Sequence, residues 1–237
     1  MKVLVLILAS NNEQLYMDLQ GIWRKYMHRS DVFECYFNVA DPNLEGDWRI
    51  DGDTLYVKCP EDLNWTAEKM RLGFSAFESR LHEFDYILRT NLSSFIIFDR
   101  YRAFLECVPT GSKYLVSLHD NNELVTDGHM TMPTRLYEVS GTFITMTPSI
   151  VRAYIQYPIV DRIDDKNMTT MLEQFPESVS SIICPRVDIL DARHENRIEY
   201  IKDSDIFHVR IKYLYNRAKS DIEMHEKLYS LFYSASA

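Results

Sequence analysis

Near its start the chain carries Val3-Leu4-Val5-Leu6-Ile7-Leu8-Ala9, an unbroken apolar run that ends abruptly at Ser10-Asn11-Asn12. A strand with one wet face alternates apolar and polar residues. An unbroken run instead predicts a strand buried on both faces and closed by a polar loop. The run is too short for a bilayer span, which takes roughly 20 residues of helix. Lys2 precedes it as in a signal peptide, but no small-residue cleavage site follows. The expectation is a buried first strand in a chain with no transmembrane segment, anchor or stem.

Strands and helices then alternate. Leu15, Leu19, Ile22, Trp23 and Tyr26 recur at helical spacing, while 32–39 and 54–59 read as strands. A helix start is expected at Asn64-Trp65-Thr66-Ala67-Glu68, with Phe74 and Phe77 on its apolar face. Residues 84–89 and 94–98 read as two apolar strands around the polar interruption Asn91-Leu92-Ser93. A strand at 114–118 leads into the polar segment 119–122, and 137–146 reads as a strand interrupted by Gly141. Pro148 suits a helix entrance. Residues 216–232 have a helical pattern, followed by a frayed tail at 234–237. Such alternation predicts an α/β domain with a mixed, mostly parallel central sheet over 1–215, and a C-terminal helix packed on it over 216–237.

Composition narrows the function classes. With 237 residues, 46% of them hydrophobic, the chain can bury a sizeable core. Its net charge of −9 argues against non-specific nucleic-acid binding, so any phosphate must be met by a local basic cluster. Fifteen Tyr and 12 Phe suit core packing, or stacking on a base or sugar ring near a cleft. Cys35, Cys59, Cys107 and Cys184 lack metal-type spacing and read as buried free thiols in a reducing, cytoplasmic setting. No Walker loop, Rossmann glycine fingerprint, nucleophile elbow or zinc-protease helix is present.

One further segment stands out on its own residues. In Ile206-Phe207-His208-Val209-Arg210-Ile211-Lys212, strand alternation puts His208, Arg210 and Lys212 on one face. In so acidic a protein, that face needs an anion or carboxylates opposite it, unless it is simply solvated.

Four blocks can be set in order over roughly residues 3–221. They are the opening strand with Trp23-Arg24, then Asn64-Trp65-Thr66-Ala67-Glu68-Lys69, then Arg89-Thr90-Asn91-Leu92-Ser93 between two apolar runs. The last is Ser140-Gly141-Thr142 together with Asp164-Asp165-Lys166-Asn167-Met168. In this order they resemble GT-A-fold glycosyltransferases, in particular the β-1,3-galactosyltransferase-like group and related viral and bacterial sugar transferases. The resemblance implies a Rossmann-like GT-A domain. It also implies transfer of a hexose or pentose from a nucleotide-sugar donor, such as a UDP-sugar, to a hydroxyl of a glycan acceptor, with inversion.

Residue by residue, the resemblance places Lys69, Arg89, Asn91, Ser93, Arg210 and Lys212 at the donor, and His208 at a metal. Gly141 falls to the acceptor, and Asp120 joins it on its own chemistry, in a segment whose acids and amides could grip an acceptor sugar. Asp165 becomes the general base, with Asp164 as its alternate, because one carboxylate must take the proton of the attacking hydroxyl. Helix N-capping explains the same two acids equally well, and helix or loop solvation explains Lys69 and Asp120. Where the family has Lys-Thr-Asp-Asp-Asp, this chain has Arg89-Thr90-Asn91-Leu92-Ser93. A Mn²⁺ or Mg²⁺ ion there would meet only neutral oxygens, and would be held weakly or mainly by the nucleotide. The replaced acids also support a rival expectation, a non-catalytic nucleotide-sugar or carbohydrate-binding protein on the same fold.

Overall fold

The opening run forms strand β1 (Val3–Leu8), and its side chains from Val3 to Ile7 are fully buried. The structure, a computed structural model, describes residues 1–109, 112–119 and 139–234. β1 lies between two parallel neighbours, β2 (Phe33–Ala40) and β5 (Tyr86–Asn91). Among the described residues, eight strands form the main sheet. Outward from β1 on one side lie β2, β4 (Thr54–Val57) and the edge strand β3 (Trp48–Asp51). On the other side lie β5, β8 (Phe143–Met146), β7 (Leu115–His119) and β9 (Ser180–Cys184). The segment β4-β2-β1-β5 is wholly parallel, whereas β3 and β8 run against their neighbours and β7 pairs parallel with β9. The fold is a mixed α/β GT-A-like domain.

Pleating explains why β1 is apolar throughout. Val3, Val5 and Ile7 enter one core with α1 (Gln14–Arg24), α3 (Phe98–Glu106), α6 (Arg197–Asp203) and α7 (Arg217–Phe232). Leu4 and Leu6 enter the other with α2 (Thr66–Ser75), α4 (Pro148–Gln156) and α5 (Asp164–Glu173). Each fully buried Val, Leu or Ile contributes about 1.5–3 kcal/mol, so both helix layers are anchored on this one strand.

Several elements differ from their sequence patterns. The apolar runs either side of Asn91-Leu92-Ser93 belong to two different sheets. β5 ends at Asn91, and β6 (Ser94–Ile96) leaves to pair antiparallel with β11 (His208–Ile211), which pairs parallel with β10 (Arg186–Ile189). The second run also ends early, because α3 begins at Phe98 and buries Phe98, Tyr101 and Leu105 at helical spacing. The helix expected from Asn64 starts at Thr66, after a 3₁₀ turn over Leu63–Trp65 that is capped by Asp62, whose Oδ1 accepts from the Asn64 N–H (2.8 Å). The strand expected over 137–146 is confined to β8, preceded by a turn that bridges Ser140 to Phe143; residues 137 and 138 lie outside the described residues. Cys35, Cys59 and Cys184 are buried free thiols, but Cys107 is exposed, at the C-terminal cap of α3. α7 packs across α1, and Tyr233 beyond it ties the chain end to Ile96 and Phe98 by hydrogen bonds of 2.8 Å each. No helix of the described residues is long and apolar enough to cross a membrane.

Candidate active site

After β1 the chain first moves to β2 on one side, and after β4 it crosses back to β5 on the other. Connections that leave a strand pair in opposite directions open a crevice at the carboxyl ends of those strands, where ligands of open α/β sheets bind. A cavity of about 410 Å³ lies there. Its wall takes Ala9 and Ser10 after β1, Glu61 and Asp62 after β4, and Asn91, Leu92 and Ser93 after β5. Lys69 of α2 closes the floor, and Lys212 and Arg217 enter from the β11–α7 connection.

Two buried ion pairs underlie this wall. Lys69 is 3% exposed; its ammonium donates to both oxygens of Glu61 (2.9 and 2.7 Å) and to the Ala9 carbonyl (2.7 Å). Burial lowers its proton affinity, which Glu61 partly restores. Lys69 thus fixes the loop ends after β1 and β4. Arg89 shares the sheet face of Ile87, beneath α5, and its guanidinium lies 2.6 Å from Asp164 Oδ2. Both members are buried, and burial raises the proton affinity of the Asp164 carboxyl against the pull of Arg89. Arg89 and Asp164 do not line the cavity.

Asp165, one residue on, has the opposite character: it is only partly buried. Its Oδ2 accepts from the Gly141 N–H (2.9 Å), and its Oδ1 from the Lys166 N–H (2.9 Å). The Gly141 carbonyl in turn accepts from Asn91 Nδ2 (3.0 Å). Two hydrogen bonds therefore connect the cavity wall at Asn91 to the Asp165 carboxylate, although Asp165 itself is not in that wall. Asn91 Oδ1 accepts from the Ser93 N–H (3.2 Å) and hydroxyl (2.7 Å), which uses both lone pairs of the amide oxygen.

The β11 residues separate by depth. The His208 ring is 1% exposed, stacks on Phe143 and places Nε2 3.0 Å from Ser94 Oγ. Ser94 Oγ donates to the Thr142 carbonyl (3.0 Å), which suits a histidine tautomer carrying its proton on Nε2. Arg210 pairs with the buried Asp188 (3.3 Å), which Arg186 also holds (2.7 Å). Of the three, only Lys212 reaches the cavity. Asp120 lies outside the described residues.

The structure thus gathers Lys69, Asn91, Ser93 and Lys212 around one cavity, and Gly141 with Asp165 beside it. Arg89, Asp164, His208 and Arg210 sit in supporting ion pairs and hydrogen bonds. Three side chains had no motif to announce them: Glu61, Arg186 and Asp188. Arg217 and Asp221 did carry a local signal, the i,i+4 spacing of a helical ion pair, and they form one (2.9 Å). The donor set at Asn91-Leu92-Ser93 does not fit a hard divalent cation, which takes several oxygens and usually a carboxylate. It offers neutral groups alone, and the one amide oxygen is already engaged. Among the described residues, no three His, Cys, Asp or Glu side chains are grouped to hold a metal.

No protein-family model matches the sequence, and no curated protein matches it. A crystal structure of a glycosyltransferase involved in the glycosylation of the major capsid of PBCV-1 is similar to it in three dimensions. The TM-score is 0.52, over 96% of this chain and 100% of that one, at 10% sequence identity. The likeness is one of fold. It bears out the GT-A-like architecture, while roles for individual residues rest on the geometry above.

Proposed function

We propose that the protein transfers a sugar from a nucleotide-sugar donor to a hydroxyl of a glycan acceptor, with inversion at the anomeric carbon. The observation that carries this reading is the placement of an accessible carboxylate, Asp165, two hydrogen bonds from a cavity at the β1/β5 switch point. The shared fold with a glycosyltransferase supports it.

In this reading the donor lies in the cavity, its nucleotide against the loops after β1 and β4 and its diphosphate toward Lys212. The acceptor hydroxyl approaches from the Gly141 side. Asp165 takes its proton as the oxygen attacks the anomeric carbon, and the bond from that carbon to the diphosphate oxygen breaks as the new one forms. A single displacement inverts the centre. Asp164 cannot share this task, since its carboxylate is buried against Arg89; it acts as a positioning residue for the start of α5. Lys69 positions Glu61 and the Ala9 backbone in the same sense.

Asp165→Asn tests the reading. The amide keeps the size of the side chain but cannot accept the proton. Turnover of a nucleotide-sugar is expected to fall about 10²–10⁴-fold while donor affinity stays, as measured by product formation and calorimetry. A binding protein without turnover would show donor affinity in both forms and product from neither. Retained anomeric configuration in the NMR spectrum of the product would rule out the single displacement.

A further inference from the structure

We infer that the donor diphosphate is held by Lys212 and Arg217 directly, with no divalent cation between phosphate and protein. The inference rests on the nucleotide-sugar reading of the cavity and concerns what neutralises the donor there.

On the β5–β6 side of the cavity, Asn91 and Ser93 bring neutral groups to the position where a metal-dependent site needs acid. From the β11–α7 connection come two cations. Lys212 is exposed to the cavity and makes no ion pair among the described residues. Arg217 is anchored through Nε to Asp221 Oδ2 (2.9 Å), and its two terminal nitrogens make no hydrogen bond among the described residues. Anchoring by Nε leaves the fork of a guanidinium available for bidentate contact with phosphate oxygens.

Of the cations at this end of the molecule, Lys212 and Arg217 line the cavity, and Asp221 pairs with Arg217. A nucleotide-sugar diphosphate carries about two negative charges, one per phosphodiester-type group. Burial and then the neighbouring Arg210 and Arg217 lower the proton affinity of Lys212, as expected of a cluster short of negative charge. The cavity wall also holds three acids. Glu61 is committed to Lys69, and Glu13 and Asp62 belong to the loops after β1 and β4.

Calorimetric titration of UDP, GDP and dTDP into the whole protein tests this, first in EDTA and then in Mn²⁺ or Mg²⁺. At least one nucleoside diphosphate is expected to bind in EDTA, with an affinity the metals do not raise. Lys212→Gln and Arg217→Gln are each expected to weaken that binding about tenfold or more, the usual loss for a charged hydrogen bond. Lys212 is exposed, so its variant reports on binding even if Arg217→Gln, which strips a partner from buried Asp221, fails to fold. Binding that requires Mn²⁺, or an unchanged Kd in Lys212→Gln, overturns the direct grip and leaves the nucleotide-sugar reading standing. No binding by any of the three, with or without metal, overturns both.

Discussion

A β-carbon built on Gly141 would lie 2.5 Å from Asp165 Oδ2 and 3.1 Å from its Cγ, so the carboxylate occupies the space that any larger residue would need. The obstacle is the tip of a side chain, which can swing aside. Gly141→Ala should therefore fold and bind donor normally but carry a displaced carboxylate. Turnover is expected to drop about 10–100-fold, in keeping with the cost of misplacing a reacting group by about 1 Å. Steady-state kinetics beside calorimetry would show it; unchanged turnover would remove Asp165 from the chemistry. Gly73 meets a similar obstacle with a different consequence. A β-carbon there falls 2.5 Å from Asn38 Nδ2, and Asn38 is fully buried and donates to the Lys69 carbonyl. The neighbour has nowhere to go, so Gly73→Ala should cost about 1–3 kcal/mol of stability in urea denaturation.

Between elements, the Arg89–Asp164 pair joins β5 to the first turn of α5. Both members are buried, where the cost of removing one partner exceeds the worth of the pair. Arg89→Met is expected to lose about 3–5 kcal/mol in urea denaturation near neutral pH. Asp164 already has its proton affinity raised by burial, and without Arg89 it should take up a proton more readily. The loss should therefore shrink as pH falls and the lone carboxyl becomes neutral. The double variant Arg89→Met with Asp164→Leu should recover much of the stability. Equal losses in single and double variants would show that packing of the arginine stem, rather than the buried charge, dominates.

At the scale of the whole molecule, α7 links the small sheet to α1, and His225 lies at that junction. The ring is fully buried, edge-on to Phe95, with Nδ1 2.9 Å from the Asp221 carbonyl. Burial pushes its pKa down to about 4. In the unfolded chain a histidine titrates near 6.5. Between those values the unfolded state binds more protons than the folded one, so stability falls as pH drops from about 6.5 toward 4. The total contribution is about 3 kcal/mol. A pH series of thermal melts should show this slope, and His225→Gln should lack that part of it. An identical slope in the variant would assign the acid sensitivity to other groups.

How much was legible in the sequence depended on how local the signal was. The unbroken run of β1 announced a strand buried on both faces, because no other environment accepts Val3 to Ile7 without a polar residue between them. The amphipathic spacing of α1 and the proline at α4 were equally local. β3 escaped notice because all its residues are exposed, and an edge strand need not carry an apolar pattern. The site divided along the same line. Resemblance to a known family could put Asn91, Gly141 and Asp165 forward as candidates, and strand alternation could put Lys212 forward. The sequence could not decide that Asp164 faces inward to Arg89 while Asp165 stays accessible beside Gly141, since adjacent helix residues differ by about 100° in direction. Nor could it pair Lys69 with Glu61, or set Lys212 and Arg217 across from Asn91. Those depend on the crossing from β4 to β5, on β6 leaving the main sheet, and on α7 folding back over α1. Apolar periodicity is written residue by residue and determines the layers. Which charges meet is settled by packing between segments far apart in the chain, and only the tertiary structure decided it.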